Sequence, residues 1–188
     1  MKVEHAKFSG SIPAAYDRYL GPILFQPYAE DLAARLPVKK TSSVLEMACG
    51  TGILTRVLRT CLPSKVKLIV TDLNEPMFRQ AAAKFGKGEK VRWLEADVSD
   101  LPFDDRKFDA VVRQFGVMFV PDKALATREA CRVLKRDGLF LFNVWDAMST
   151  TNWESSHIEL SQATSRKILP PSTRFLLVTT LEAKSGEY

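Results

Sequence analysis

The chain is 188 residues long, with 46% hydrophobic residues, 26% charged residues and a formal net charge of +5. This balance is typical of one globular domain of roughly 100–200 residues, and it excludes a wholly disordered chain. The longest apolar runs are far shorter than the roughly 20 residues that a membrane-spanning helix requires. We therefore expect a single structural domain without a membrane span.

The spacing of the cysteines and the distribution of the basic residues argue against several classes of function. The three cysteines, Cys49, Cys61 and Cys131, are far apart and have no histidine nearby. This odd, scattered set argues against a disulfide framework and a zinc site, and it favours a cytoplasmic location. We therefore expect no metal ion. Because the lysines and arginines form no basic stripe, we also expect no nucleic-acid partner.

The first predicted element is helical and covers residues 13–36, with a break expected near Gly21 and Pro22. Tyr28, Leu32 and Leu36 follow one another at intervals of four residues, which places them on one helix face.

From residue 43 onward, strand and helix patterns alternate along the chain. Short apolar runs predict strands, and amphipathic segments ended by proline or glycine predict helices. A polar stretch at 152–168 has weak helical spacing, and one more strand is predicted at 174–181. The other predicted strands cover 43–48, 66–71, 91–96, 108–113 and 139–145, and the predicted helices cover 52–62, 75–85 and 121–135.

Several of these strands are continuous apolar runs, as expected when helices cover both faces of a parallel sheet. Successive right-handed βα units then give a doubly wound, mostly parallel, Rossmann-like α/β sheet. We divide the domain into an N-terminal helical part (1–40), a core (41–146) and a shortened or atypical C-terminal segment (147–188).

A glycine-rich turn joins the first predicted strand of the core to the following helix. Gly50 and Gly52 allow a tight turn and let the backbone approach a ligand closely. The N-terminus of the helix presents free N–H groups to an anionic group such as a carboxylate. Two glycines after a strand are weak evidence, because they often form only a turn.

Three acidic residues near the carboxyl ends of successive strands strengthen the indication of a ligand site. Glu46 is costly in a buried strand unless something satisfies it, and a ligand ammonium would do so. Asp72 follows the glycines by about 20 residues, where an acidic side chain can accept from both ribose hydroxyls. Asp97, followed by Val98, can accept from an exocyclic amine such as that of adenine. Together they describe S-adenosylmethionine.

Each residue also has a simpler interpretation. Asp72 could help to start the next helix, Asp97 could form a turn with Ser99, and Glu46 could pair with a lysine or arginine. We favour the joint interpretation because open α/β sheets bind ligands at the carboxyl ends of their strands.

The motifs resemble those of the class I S-adenosylmethionine-dependent methyltransferases, above all the small-molecule branch that includes ubiquinone and menaquinone biosynthesis methyltransferases. The resemblance spans residues 8–145. It is carried by VLEMACGTGILT at 44–55, VTDLNEPM at 70–77, LEADVSDLPFDDRKFDAVV at 94–112, QFGVMFVPD at 114–122 and RVLKRDGLFLF at 132–142.

The resemblance implies strand order 3-2-1-4-5 plus at least one C-terminal strand, and it implies that residues 1–40 cover the cofactor and substrate. The glycine loop would line the methionine part of the cofactor, and Met77 would pack near the adenine. Arg113 and Gln114 would lie beside the sulfonium. Tyr16 or Tyr19 would be a lid residue, or the tyrosine would anchor its helix to the core. The expected cofactor-binding residues are Glu46, Ala48, Gly50, Thr51, Gly52, Asp72, Leu73, Met77, Asp97, Val98, Arg113, Gln114 and Tyr19.

The expected reaction is transfer of a methyl group from S-adenosylmethionine to a small-molecule acceptor, with S-adenosylhomocysteine as product. The fourth strand leads into Arg113-Gln114-Phe115-Gly116, not into the [Asn/Asp]-Pro-Pro-[Tyr/Phe] signature of enzymes that methylate amino groups of nucleic acids and glutamine. Val117, Met118 and Phe119 complete an apolar cluster that could contact an acceptor or pack in the core. No general base stands out, because surface roles are favoured for both histidines, His5 and His157.

The C-terminal segment departs from the family pattern, which usually closes the sheet with two further strands. The resulting open edge would favour a homodimer or aggregation. This departure keeps a second function open, namely a non-catalytic binder of S-adenosylmethionine or S-adenosylhomocysteine. A third, an NAD-dependent oxidoreductase, agrees with Asp72 but not with Thr55, Glu46 or Asp97.

Overall fold

The structure is a computed structural model that describes residues 16–145 and 176–182. The helical prediction for 152–168 and both histidines lie outside these residues. The strands are β1 (Ser43–Glu46), β2 (Lys67–Asp72), β3 (Val91–Glu95), β4 (Phe108–Gln114), β5 (Leu134–Trp145) and β6 (Leu176–Glu182). The helices are α1 (Gln26–Ala34), α2 (Ile53–Cys61), α3 (Glu75–Ala82) and α4 (Lys123–Val133), with 3-10 turns at Val38–Lys40 and Val117–Phe119.

The six strands form one sheet in the order β3-β2-β1-β4-β5-β6. The first five are parallel, and β6 pairs antiparallel with β5. The predicted order 3-2-1-4-5 with a further C-terminal strand is therefore confirmed. The strands β2 and β3 are added on one side of β1, and β4 and β5 on the other side. Sheets of this kind bind ligands where the order of addition switches, here between β1 and β4.

Helices cover both faces of this sheet. Along β1, Val44 contributes to the hydrophobic core beneath α1 and α2, and Leu45 contributes to the core beneath α4. The same alternation continues in β2 and β4, which explains their continuous apolar sequences. The predicted apolar face of α1 is confirmed, since Tyr28, Leu32 and Leu36 are all buried.

Two local predictions are wrong. The segment Tyr16–Phe25, called the N-terminal segment below, is π-helical and leads into α1 without a break at Gly21 and Pro22. Pro22 cannot donate a backbone hydrogen bond, and π-helical turns are a known local departure from the regular α-helical ladder. Strand β5 begins at Leu134 rather than 139, because Leu134 pairs with Phe108 before the register shifts.

At the amino ends of the strands, one carboxylate joins β1, β4 and β5. Asp109 Oδ2 accepts hydrogen bonds from the backbone N–H and hydroxyl of Ser42 (2.9 and 2.6 Å) and of Ser43 (2.8 and 2.9 Å). Its Oδ1 lies 2.7 Å from Lys135 Nζ. Burial raises the pKa of Asp109, but these hydrogen bonds outweigh burial and hold it well below its ordinary value.

Candidate functional site

The glycine loop follows β1 at its carboxyl end, as predicted. Three of its residues have positive φ, namely Ala48 (53°), Gly50 (56°) and Gly52 (78°). The loop is held to β2 by the hydrogen bond from Cys49 N to Thr71 O, at 3.0 Å. Ala48 is a departure from the usual preference for glycine in this region, and such conformations concentrate at functional sites.

The two glycines serve different purposes. A Cβ atom on Gly52 would lie 2.9 Å from Ala81 Cβ, so that only glycine lets the loop approach α3 this closely. A Cβ atom on Gly50 would have only Met77 Cε within 4 Å, at 3.9 Å. Gly50 is therefore required by its backbone conformation, while Gly52 is also required by packing.

Glu46 is the most unusual side chain of the site. It is 1% exposed, and its Oε2 accepts no hydrogen bond from the residues that the structure describes. Burial, with a smaller contribution from the charge of Asp72, raises the pKa of Glu46 to about 8, although polar groups of Thr55 partly oppose the shift. No lysine or arginine among the described residues forms a salt bridge with it, so none of them fills the alternative role of charge partner.

Asp72 ends β2 beside the glycine loop. Its Oδ2 accepts a hydrogen bond from Gly50 N and its Oδ1 accepts one from Asn74 N, each at 2.7 Å. Burial raises the pKa of Asp72, and these two hydrogen bonds counteract part of that effect. The N-cap of α3 is Asn74, whose side chain accepts from Met77 N, so the alternative role of Asp72 as helix cap is wrong. Its oxygens retain lone pairs for a ligand hydroxyl.

Asp97 and Val98 follow β3, the strand next to β2, and so lie at the same carboxyl edge of the sheet. Asp97 Oδ1 accepts a hydrogen bond from Ser99 N at 2.8 Å, which confirms the simpler interpretation of a loop turn. The turn does not exclude a ligand contact, because a carboxylate can accept several hydrogen bonds. Val98 is buried, at 8% exposure, and contributes to the core beneath α4.

Arg113 lies near the carboxyl end of β4 and is 2% exposed. Its Nη2 donates to Gly116 O at 2.6 Å, whereas its Nε has no acceptor among the described residues. Burial lowers the pKa of Arg113 to about 10, while Asp72 partly opposes the shift by stabilising its charge. A Cβ atom on Gly116 would lie 2.7 Å from Arg113 Nε, so this glycine is needed for the guanidinium to fit.

The turn after β4 connects the site to the N-terminal segment. Gln114 Nε2 donates to Phe25 O at 2.8 Å, and the Phe115 ring packs edge-on against Phe25 and Tyr28. Phe115 itself has a positive φ of 50°. Its backbone N–H donates to Asn143 Oδ1 at 2.9 Å, and Asn143 is fully buried.

Asn143 was missed by the sequence reasoning. The available signal was a lone polar residue in the apolar run LFLFNVW. Lys84 and Asp17, which are bonded to each other, were also missed, and their separation of 67 positions gives no local signal.

Exposed apolar side chains surround this edge of the sheet. Tyr19 is 64% exposed, so the alternative role of core anchor is wrong for Tyr19, whereas Tyr28 of α1 is buried. The predicted apolar cluster after β4 divides in two: Phe115 and Val117 pack in the core, as the simpler interpretation expected, while the next two residues are exposed. Large hydrophobic side chains with high exposure are Tyr19, Leu20, Ile23, Leu73, Met118 and Phe119.

Among residues 16–145 and 176–182, no group of three or more acidic, histidine or cysteine side chains could bind a metal ion. In the same part of the chain, no helix is both long and apolar enough to cross a membrane.

A doubly wound sheet with a glycine loop and acidic side chains at its carboxyl edge defines a Rossmann-like, nucleotide-type cofactor domain. Residues 44–138, about half of the chain, match a family described as a methyltransferase domain. The chain belongs to this methyltransferase-domain family. Its resemblance to class I S-adenosylmethionine-dependent methyltransferases is thereby confirmed, and S-adenosylmethionine is the cofactor that membership implies.

Individual relatives agree with this assignment. The chain is 33% identical over 132 residues to a demethylmenaquinone methyltransferase of Staphylococcus epidermidis, a match that covers 69% of this chain and 55% of the relative. It thus spans about half the length of the curated relatives it matches.

Two solved structures extend the comparison. An S-adenosylmethionine-dependent methyltransferase from Mesorhizobium loti is 26% identical, with a TM-score of 0.54 and coverage of 63% of this chain and 54% of the other. A methyltransferase structure from Aquifex aeolicus has a TM-score of 0.75 over 94% of this chain and 100% of the other. Its identity of 19% supports the fold alone.

Proposed function

We propose that this chain binds S-adenosylmethionine at the carboxyl edge of its sheet and transfers the methyl group to a small-molecule acceptor. The observation that carries the proposal is Glu46, a buried carboxyl group with an oxygen that the described residues leave without a hydrogen bond. An uncompensated polar atom in a protein interior is costly, and the usual compensation is a ligand or an ordered water. The ammonium of the cofactor's methionine part supplies donors and positive charge.

The neighbouring residues fit the remaining parts of the cofactor. The positive-φ backbone at Gly50 lets the loop lie against the methionine part. Asp72 accepts from the ribose hydroxyls while it continues to hold Gly50 N, so that ribose and loop are positioned by one carboxylate. Asp97, beside the buried Val98, accepts from the adenine amine. Ala48, Thr51, Gly52, Leu73, Met77, Arg113, Gln114 and Tyr19 complete the proposed set.

The cofactor supplies an activated methyl group on a sulfonium, so the protein mainly orients the reactants. The chain must hold an acceptor atom in line with the methyl, at roughly 3–3.5 Å, and keep water out. The turn after β4 is placed for this task by Asn143, which holds Phe115 N, and by Gln114, which holds Phe25 O.

The exposed apolar side chains around the carboxyl edge of the sheet favour an acceptor with an apolar face. Met118 and Phe119 follow β4 directly, and Tyr19 and Ile23 lie on the adjoining N-terminal segment. Such an apolar surface is suited to a small organic molecule, whereas nucleic acids are usually bound by a basic groove. Free thiols at all three cysteines agree with a cytoplasmic reaction.

A methyl-transfer assay tests the proposal. The chain is incubated with S-adenosylmethionine carrying an isotopically labelled methyl group and with a panel of phenolic and quinol acceptors bearing apolar substituents. We expect a labelled small-molecule product and no labelled DNA or RNA. Glu46→Gln should reduce the rate at least about tenfold, because a hydrogen bond to a charged group is worth about 1.5–3 kcal/mol. Glu30→Gln, at an exposed position on α1, should have no effect.

The same assay separates the alternatives. A chain that binds S-adenosylhomocysteine tightly but labels no acceptor would favour the non-catalytic binder. A product labelled at equal rates by Glu46→Gln and by the unaltered chain would contradict the role given to Glu46.

A further inference from the structure

Lys84 joins three parts of the molecule through one ammonium group. It lies two residues after the end of α3, and its Nζ donates to Thr51 O of the glycine loop at 2.7 Å. The same Nζ forms an ion pair with Asp17 of the N-terminal segment. The side chains of Lys84 and Asp17 are only 28% and 24% exposed. This degree of burial distinguishes the pair from ordinary surface ion pairs, which contribute little.

The turn that carries Lys84 is itself held in place. The Arg56 guanidinium of α2 donates to Lys84 O, pairs with Glu89 and lies 3.8 Å from the centroid of the Phe85 ring. The backbone of Lys84 is therefore fixed on the core side, and the hydrogen bond to Thr51 O holds its ammonium there. A fixed donor loses little conformational freedom when it forms an ion pair, so that more of the interaction energy is retained.

The N-terminal segment packs unevenly on the core. Leu24 and Phe25 contact the hydrophobic core, and a Cβ atom on Gly21 would lie 3.3 Å from Ile53 Cδ1. At its far end, Phe25 is buried and its carbonyl accepts from Gln114. Nearer Asp17, Tyr19 is 64% exposed and Ile23 is 83% exposed, so these side chains bury little apolar surface. Asp17 is thus the charged anchor close to the first residue of the N-terminal segment, and Phe25 is the apolar anchor at its last residue.

We propose that Lys84 is a positioning residue whose ion pair with Asp17 latches the N-terminal segment over the glycine loop and slows release of the cofactor. The inference rests on the proposed function, because it assigns the glycine loop to the cofactor. The contact with Thr51 O means that one ammonium sets the relative position of loop and segment. Neither Lys84 nor Asp17 needs to touch the cofactor for this effect.

Release of S-adenosylhomocysteine from the full chain tests the latch. Its dissociation rate is measured by displacement with excess competitor for Lys84→Met, Asp17→Asn and the double variant. We expect each single variant to release the ligand about tenfold faster, since a charge-assisted hydrogen bond is lost. The double variant should release it no faster than the faster single variant, because both substitutions remove the same interaction.

Glu75→Gln and Arg79→Met are the matched controls. They break an ion pair on the neighbouring helix α3 whose side chains are 57% and 76% exposed and which joins no separate elements. Their release rates should equal that of the unaltered chain.

A ligand-free measurement keeps the latch testable by itself. Trypsin cleavage after Arg18, followed by mass spectrometry, reports how often the N-terminal segment detaches. Lys84→Met and Arg79→Met each remove one tryptic site, and we expect only Lys84→Met to accelerate cleavage after Arg18. Unchanged cleavage and unchanged ligand release in Lys84→Met would overturn the latch. If the unaltered chain fails to bind S-adenosylhomocysteine while cleavage still accelerates, the proposed function and the cofactor role of the latch fail, and the contact is structural only.

Discussion

The two edges of the sheet treat their carboxyl groups in opposite ways. At the amino edge, Asp109 accepts hydrogen bonds from two serines and pairs with Lys135. At the carboxyl edge, Glu46 is more deeply buried, yet its Oε2 receives no hydrogen bond from the described residues. The pKa of Asp109 accordingly lies well below its ordinary value, whereas burial raises that of Glu46 to about 8.

This difference indicates that Asp109 stabilises the fold, whereas Glu46 is compensated only when a ligand binds. The donors to Asp109 come from Ser42 and Ser43, at the start of β1, and from Lys135 of β5, so its contribution is made on folding. Glu46, together with the positive-φ residue Ala48, lowers the stability of the unliganded chain. A binding site is the usual reason for such a cost, which bound ligand offsets.

The largest effect is expected at Gly52. Gly52→Ala places a Cβ atom 2.9 Å from Ala81 Cβ on a backbone with φ of 78°. We expect the free energy of unfolding to fall by about 2–4 kcal/mol, from left-handed strain and overpacking together. Gly88→Ala is the control, because a Cβ atom there has no neighbour within 4 Å. Chemical denaturation measures both, and equal stability of the two variants would refute the close packing of loop and helix.

Next in size are the pH effects of the two carboxyl groups, which have opposite signs. The lowered pKa of Asp109 gives stability that is present above its ordinary value of 3.8 and is lost as pH falls through its lower folded value. The raised pKa of Glu46 gives stability that is present below 4.5 and is lost as pH rises through about 8.

Substitution of each carboxyl group should remove only its own pH dependence. Asp109→Asn should lower the free energy of unfolding by about 1–3 kcal/mol near neutral pH. Glu46→Gln should flatten the loss of stability towards pH 8 in the unliganded chain. Unfolding midpoints measured from pH 3 to 9 test both, with Asp104→Asn, an exposed position, as control. Parallel pH profiles for Asp109→Asn and Glu46→Gln would contradict the contrast between the edges.

An effect of similar size, on ligand affinity rather than on the free energy of unfolding, is expected at Asp72. Asp72→Ala removes the acceptor for Gly50 N and the proposed partner of the ribose hydroxyls. We expect the affinity for S-adenosylhomocysteine to fall by about 1–3 kcal/mol, roughly fivefold to 150-fold. Asp100→Ala, at an exposed position after β3, should bind normally. Unchanged affinity in Asp72→Ala would show that Asp72 does not bind the ribose.

Local signals, namely apolar runs and turn residues, were sufficient to predict the strands and the positions of Glu46 and Asp72 near their carboxyl ends. The sheet order was not a local signal and followed from the resemblance to the methyltransferase family. It could not show that Gly52 meets Ala81, since that contact depends on how α3 packs against the loop. The Lys84–Asp17 pair was likewise unpredictable, because surface charges at long separation have many possible partners. The continuous helix at Pro22 was missed because local rules do not anticipate π-helical turns.

The central claim is that the carboxyl edge is a site for S-adenosylmethionine, and titration calorimetry of the purified 188-residue chain tests it most directly. S-adenosylhomocysteine is titrated at pH 7 in two buffers of different ionisation enthalpy, with NADH as the control ligand. We predict binding of S-adenosylhomocysteine alone, with a net release of protons as Glu46 ionises against the ligand ammonium, and no such release in Glu46→Gln. A folded chain that binds NADH equally well, or binds neither ligand, would contradict the account.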